Sequence, residues 1–231
     1  MFNLLAVIPA RGGSKGIKRK NVRMLNRKPL VFYTIDVAKN CNFISDVVVS
    51  TDDEEISKLS LEFGAQVPFI RPASLATDET PSYDVVKHGL LEMESRKNIR
   101  YDAVMMLQPT CPLRTVEDLD NSIRIFQSTR ADSVVSVVQL SDKHPFRMKR
   151  LVGDRLINYI DQGFEDMRPR QSLPKVYIRN GAIYVSTRRS FLSSESLVGQ
   201  DCRAYLMPDS RSVNIDSEID LLLAERLLDS S

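Results

Sequence analysis

The residues best placed to do chemistry stand at the beginning of the chain. An apolar run, Leu4-Leu5-Ala6-Val7-Ile8-Pro9, passes directly into Ala10-Arg11-Gly12-Gly13-Ser14-Lys15-Gly16-Ile17-Lys18-Arg19-Lys20-Asn21, a loop with three glycines and five cations. A buried strand followed by such a loop sets backbone N–H groups and positive charge against phosphate. Glycine lets the backbone approach the ligand, and Arg and Lys supply charge for a polyanion. Neither the Walker spacing Gly-x-x-x-x-Gly-Lys-Ser/Thr nor the dinucleotide pattern Gly-x-Gly-x-x-Gly is present, which argues against P-loop hydrolysis and nicotinamide binding. The competing reading is a solvated basic turn after an edge strand. It leaves so many cations directly behind a buried run unexplained.

Two further stretches carry polar chemistry. In Asn214-Ile215-Asp216 two oxygen-bearing side chains stand two residues apart, on one face if the chain is extended. Hard oxygens suit Mg²⁺, which takes one or two carboxylates together with phosphate oxygens and water. Asn214 adds a carbonyl but no charge, so Asp216 is the principal expected ligand. Asp216 also fits as the cap of a final helix, and the two roles are compatible. Gln108, in Leu107-Gln108-Pro109-Thr110-Cys111-Pro112-Leu113-Arg114, ends an apolar run where an amide can donate to and accept from a polar ligand. Cys111 has no supporting nucleophile motif, and His88 and His144 are distant in sequence.

The segment Ile8-Pro9-Ala10-Arg11-x-Gly13-Ser14-Lys15-Gly16-x-x-x-Lys20-Asn21 resembles the signature of the cytidylyltransferases that activate sialic and related nonulosonic acids. The resemblance continues through Arg71-Pro72-x-x-Leu75-Ala76-x-Asp78, the Gln108–Arg114 stretch with Cys111 in a serine position, Arg170-Gln171-x-Leu173-Pro174 and Asn180-Gly181-Ala182-Ile183-Tyr184, and so spans nearly the whole chain. It implies transfer of CMP from CTP to the anomeric hydroxyl of a nonulosonic acid, with Mg²⁺ as cofactor and pyrophosphate as by-product. The nucleotide site it implies comprises Ala10, Arg11, Gly13, Ser14, Lys20, Asn21, Arg71 and Ser82, with Arg11, Lys20 and Asp216 carrying catalysis. It gives the acceptor to Gln108, Asn180 and Tyr184, with Arg147 and Arg170 on its carboxylate, and the metal to Asp216 and Asn214, where relatives often have Asp in place of Asn214. Relatives specific for N-acetylneuraminate often carry paired aromatics where Ser193–Val198 has none, so legionaminic and pseudaminic acids are equal candidates. The rival readings are another sugar nucleotidyltransferase, such as one loading Kdo, and a catalytically silent nucleotide-binding protein.

The elements that must hold these residues alternate. Strands are expected at 4–9, 46–52, 101–108, 133–139, 181–185 and 204–207, with a short extended piece at 67–70. Helices are expected from 30, from a cap near Thr51 or Asp52 to Gly64, from Thr80 or Ser82 to about 95, over 115–127 and over 217–228. In the last of these, residues 219, 222, 223 and 227 form the apolar face. Such alternation predicts one doubly wound, mostly parallel α/β sheet binding ligands at the carboxyl ends of its strands, and the resemblance implies that it is of the Rossmann-like nucleotidyltransferase kind. Residues 140–180, rich in charge, Gly and Pro, read as an arm or β-ribbon inserted into a single domain of 1–231. An arm without its own core needs a surface to pack on, and a second copy in a symmetric dimer is the natural one. The family resembled uses such an arm to dimerise and to lend basic residues to its neighbour.

Composition excludes little but consistently. With 231 residues, 42% hydrophobic and 27% charged, the chain can bury a full core. A net charge of +2 gives no bulk attraction to nucleic acid or membrane. The three cysteines are dispersed, without C-x-x-C spacing, as expected of reduced thiols in cytoplasm. The Phe2–Ala10 stretch is too short and lacks the charged flank of a signal peptide, and no apolar run approaches the roughly 20 residues that span a bilayer.

Overall fold

The computed structural model describes residues 2–140, 143–161 and 163–229. In chain order the elements are β1 (Leu4–Pro9), β2 (Met24–Leu25), β3 (Lys28–Pro29), α1 (Leu30–Asn40), β4 (Asp46–Ser50), α2 (Glu54–Glu62), α3 (Ser82–Lys97), β5 (Ala103–Met106), α4 (Val116–Thr129) and β6 (Ser133–Gln139). There follow β7 (Lys149–Val152), β8 (Arg155–Asn158), β9 (Tyr177–Thr187), α5 (Arg188–Ser194), β10 (Cys202–Leu206) and α6 (Glu218–Leu228).

Six strands form one sheet in the order β10-β6-β9-β5-β1-β4. Strand β1 is parallel to β4 and β5, β10 is parallel to β6, and β9 alone runs antiparallel between β5 and β6. The alternation of β1 explains the layers. Leu4, Ala6 and Ile8 face a core shared with Val31 and Ile35 of α1 and Leu119 and Ile123 of α4. Leu5 and Val7 face a second core with Leu90 and Met93 of α3 and Phe191 of α5. Both faces are covered, so β1 is apolar throughout rather than alternating, as a central parallel strand must be. Leu4 through Ile8 are 0% exposed, and Leu4, Leu5, Val7 and Ile8 each contribute about 1.5–3 kcal/mol by burial of the full side chain.

Helix starts follow local chemistry. Thr115 with Asp118, and Ser217 with Asp220, form reciprocal capping boxes for α4 and α6. Helix α2 is capped by Asp53, whose carboxylate accepts from the Ile56 N–H, one residue beyond the expected Thr51 or Asp52. The 67–70 piece forms no strand; Gln66 makes only an isolated bridge to Val48. In α6 only Leu227 of the expected apolar face packs on the core. Ile219, Leu222 and Leu223 are exposed, while Leu221 and Ala224 pack beside Leu25 and Leu30.

The arm region holds the antiparallel hairpin β7–β8, turning at Gly153 with φ +66°. Leu151, Leu156, Tyr159, Phe164 and Met167 are all exposed on it. Ser141, Asp142 and Gln162 of the expected arm lie outside the described residues.

Candidate active site

The loops leaving β1 and β5, with the segment 71–85 that leads into α3, line a cleft of about 290 Å³. Arg11, Ser14, Lys20, Asn21, Arg71 and Ser82, all expected from sequence, border it, and Gln108 closes one side. A second hollow of about 490 Å³ shares Gln108 and is bordered by Arg179, Asn180, Tyr184, Ser212 and Asn214. Two adjoining clefts with one amide between them are thus built where three strands end.

The glycine-rich loop is held by its own side chains. Ser14 Oγ donates to the Ile17 carbonyl and accepts from the Lys20 N–H, both at 2.8 Å, which commits the hydroxyl to loop shape. Buried Asn21 donates to the Arg11 carbonyl at 2.9 Å, and the Ala10 N–H is bonded to the Ser50 carbonyl at 2.9 Å. Gly13 has nothing within 4 Å of the place a Cβ would occupy. Gly16 differs: a Cβ there would stand 2.5 Å from the Asp216 carbonyl oxygen, so only glycine lets the loop close against the segment before α6.

That closure brings Lys20 to Asp216. The Lys20 ammonium, 12% exposed, donates to the Ile215 carbonyl at 2.7 Å and to Asp216 Oδ1 at 2.9 Å. Asn214 Nδ2 donates to Asp216 Oδ2 at 2.6 Å, which turns the Asn214 carbonyl toward the Cys111 sulfur at 3.5 Å. Among the described residues no group of three or more His, Cys, Asp or Glu is clustered to hold a metal by itself. Beside cleft-lining Lys20 stands one hard carboxylate, Asp216, a donor that fits Mg²⁺ when phosphate oxygens and water complete the shell.

The loop's cations are answered by acids that sequence reading did not assign. Arg11 and Lys15 pair with Asp78 at 2.5 and 2.6 Å, and together they hold its carboxyl below the usual range, Lys15 foremost. Arg19 grips Asp53 through two bonds at 3.0 and 3.2 Å and also pairs with Glu55, so it serves the loop's seat on α2. The Gly12 N–H donates to Asp52 at 3.0 Å. Arg71 is buried, donating to Ser50 Oγ at 3.1 Å and to the Ser50 carbonyl; burial lowers its pKa to about 10, so it stays charged at neutral pH.

Around the second hollow the roles divide. Asn180 is saturated: its Oδ1 accepts from Ser136 at 2.6 Å and its Nδ2 donates to Ser212 at 3.0 Å, making it a strut rather than a free amide. Gly181, at φ +81°, carries the strand past Gln108, whose Oε1 would lie 2.6 Å from a Cβ there. The Gln108 side chain, the Tyr184 hydroxyl and the Arg179 guanidinium make no hydrogen bond among the described residues, and all three border the hollow. Burial pushes the Tyr184 hydroxyl pKa up, while the positive charge of Arg179 acts the other way.

Arg147 and Arg170 are not brought to either cleft. Arg147 donates to the Arg168 carbonyl at 2.7 Å, and Arg170 borders a separate hollow on the arm with His144. Cys111 is buried, its thiol donating to the Asn180 carbonyl at 3.1 Å, and burial pushes its pKa up, the wrong direction for a nucleophile.

Sequence reading also passed over Arg114, which is buried and bridges three elements. It donates to the Ala182 carbonyl of β9, to Thr34 of α1 at 2.6 Å and to the carbonyl of Gln108. Its place at the end of the Gln108–Arg114 stretch carried the signal, but an arginine two residues after a proline reads equally well as surface.

The chain is similar to known proteins in sequence and in fold. A family model described as cytidylyltransferase matches residues 5–186. The chain is 32% identical over 228 residues to post-translational flagellin modification protein B of Campylobacter coli, covering 99% of this chain and 96% of that one. It is 33% identical over 229 residues to the CMP-N,N'-diacetyllegionaminic acid synthase of Legionella pneumophila, covering 99% and 97%. A solved CMP:2-keto-3-deoxy-manno-octonic acid synthetase in complex with CTP has the same fold, with a TM-score of 0.71 at 16% identity and 99% coverage of both chains. With 182 of its residues inside the family model and full-length relatives above 30% identity, the chain belongs to the cytidylyltransferase family.

Proposed function

We propose that this chain transfers CMP from CTP to the anomeric hydroxyl of a nonulosonic acid, giving a CMP-sugar and pyrophosphate. One observation carries the reading: a cation-lined cleft behind β1 and a second hollow with an unpaired arginine meet at the free amide of Gln108. The first suits a triphosphate and the second a polar acid, with their reacting ends face to face. The full-length relative whose name specifies a CMP-diacetyllegionaminic acid product supports the same acceptor class.

In this reading Arg11 and Lys20 bind the triphosphate, and Ser14 and Asn21 hold the loop that presents its N–H groups. Arg71, fixed on Ser50, borders the nucleotide end together with Ser82. Gln108 hydrogen-bonds the sugar's polar groups and orients its hydroxyl toward the α-phosphorus. The oxygen–phosphorus bond to the sugar forms as the bond to the β-phosphate oxygen breaks, and the hydroxyl proton is lost to solvent. Most of the acceleration is then orientation and charge stabilisation by preset groups. Mg²⁺, if held by Asp216 and the phosphates, offsets the charge that builds on the leaving pyrophosphate. Asn214 positions that carboxylate through its amide N–H.

The arm completes the proposal as a homodimer contact. Its hairpin exposes Leu151, Leu156 and Tyr159, and its Arg147 and Arg170 stand apart from their own chain's clefts. A symmetric partner would cover the apolar side chains and receive those arginines at its acceptor hollow.

The test is pyrophosphate release with CTP or UTP, Mg²⁺, and a panel of N-acetylneuraminate, N,N'-diacetyllegionaminate, pseudaminate and Kdo. Turnover with CTP and at least one of the first three, and little with UTP, is expected. Preference for Kdo or for UTP moves the chain to a different sugar nucleotidyltransferase, and no release with any pair makes it a binder.

A further inference from the structure

Arg11, which borders the nucleotide cleft, and Lys15 of the same loop already share an anion. Asp78, on the loop between Arg71 and α3, places one carboxylate oxygen 2.5 Å from Arg11 and the other 2.6 Å from Lys15, and borders the same cleft. Among the described residues the carboxylate bonds to nothing else. No helix or strand fixes it; the side chain extends from an irregular segment and is one-third exposed. A carboxylate bridging two cations offers them what a phosphate would, paired charge-assisted bonds.

We propose that Asp78 is an affinity-setting residue of this site: a carboxylate of the chain itself that occupies the phosphate-binding cations and is displaced by the incoming triphosphate. This rests on the reading of Arg11 and its loop as the triphosphate site. Physically, the cleft exists as a closed form, with Asp78 on Arg11 and Lys15, and an open form that binds. The apparent affinity is the intrinsic affinity reduced by the fraction open. Two solvent-exposed ion pairs hold the closed form weakly. Their loss converts to roughly 2- to 30-fold in the open fraction. Such a device prevents the product pyrophosphate from lingering, because the carboxylate returns as the anion leaves.

The alternative is that Asp78 only aligns Arg11 for phosphate, in which case removing it weakens binding. The two predict opposite signs. Inorganic tripolyphosphate and CTP are titrated calorimetrically against the wild-type protein and Asp78→Asn, without acceptor, with Asp78→Ser as a second variant should the first melt abnormally. Binding about 2- to 30-fold tighter in the variants is expected for both ligands, with pyrophosphate inhibiting turnover at correspondingly lower concentration. Unchanged or weaker binding of tripolyphosphate by variants that melt normally overturns the role given to Asp78 while leaving the nucleotide site standing. If wild type and variants alike bind neither tripolyphosphate nor CTP, the reading of the loop falls and the role of Asp78 falls with it.

Discussion

Arg114→Met exposes how far the acceptor amide depends on a residue that touches no ligand cleft. The guanidinium is buried and donates to the Ala182 and Gln108 carbonyls and to Thr34, tying β9, the end of β5 and α1 together. Three charge-assisted bonds of about 1.5–3 kcal/mol each set the gross loss. Against this stands the relief of burial, which lowers the arginine pKa to about 10 and is worth about 3 kcal/mol by the usual conversion. Methionine fills similar volume without restoring a donor, so the Ala182 carbonyl and Thr34 lose their arginine partner while the Gln108 carbonyl keeps only the Cys111 N–H at 3.3 Å. The net destabilisation is about 1.5–6 kcal/mol, or roughly 3–24 °C in melting temperature for a chain of this size. Calorimetry of the variant measures it. Because the Gln108 backbone is one of the groups released, KM for the sugar acid should rise several-fold more than KM for CTP. A variant melting within a degree or two of wild type, with both KM values unchanged, would refute the idea that Arg114 braces Gln108.

Other perturbations separate the remaining roles. Lys20→Ala and Asp216→Ala should each remove most turnover while far-ultraviolet circular dichroism stays native, since both lie at the cleft and Asp216 is exposed. Arg179→Ala should raise KM for the acid about 10- to 100-fold by loss of a charged hydrogen bond, leaving KM for CTP unchanged; steady-state kinetics with each substrate varied in turn decides it. Cys111→Ser keeps a donor for the Asn180 carbonyl, so its turnover should remain within a few-fold of wild type, which excludes a thiol nucleophile. Burial opposes the charge on Asp118, but bonds from Arg211, the Thr115 N–H and Tyr205 outweigh it and hold the carboxyl below its usual range. The stabilisation is therefore complete above the unfolded value near pH 4 and drains away as pH falls toward the lower folded value. Melting curves taken downward from pH 5 should show that loss in wild type and much less of it in Asp118→Asn.

The sheet was legible because its signals are local. Unbroken apolar runs at Leu4–Pro9 and Asp46–Ser50 mark strands covered on both faces, and Thr115 and Ser217 announce the starts of α4 and α6. The direction of β9 was not legible, because a strand's composition is much the same whether its neighbours run parallel or antiparallel. In α6, Ile219, Leu222 and Leu223 share a helical face, yet the helix turns Leu221 and Ala224 inward; periodicity identifies a face, and tertiary contacts choose which one is buried. At the site, residue types carried the loop, Gln108 and Asp216. They could not distinguish a ligand-facing amide from a saturated one, as at Asn180, whose partners Ser136 and Ser212 are 44 and 32 residues away. For the same reason the pairing of Asp78 with Arg11 and Lys15, and of Asp53 with Arg19, was not legible: an acid that neutralises a distant cation leaves no mark in the spacing of either.

The most direct measurement is a crystal structure of the chain with CTP bound. The triphosphate should lie along the Arg11–Lys20 loop with Arg11 and Lys20 on its oxygens, Asp78 swung clear, and the α-phosphorus facing Gln108. A nucleotide bound elsewhere, with Arg11 and Lys15 still paired to Asp78 and the loop turned to solvent, would contradict the assignment of this cleft.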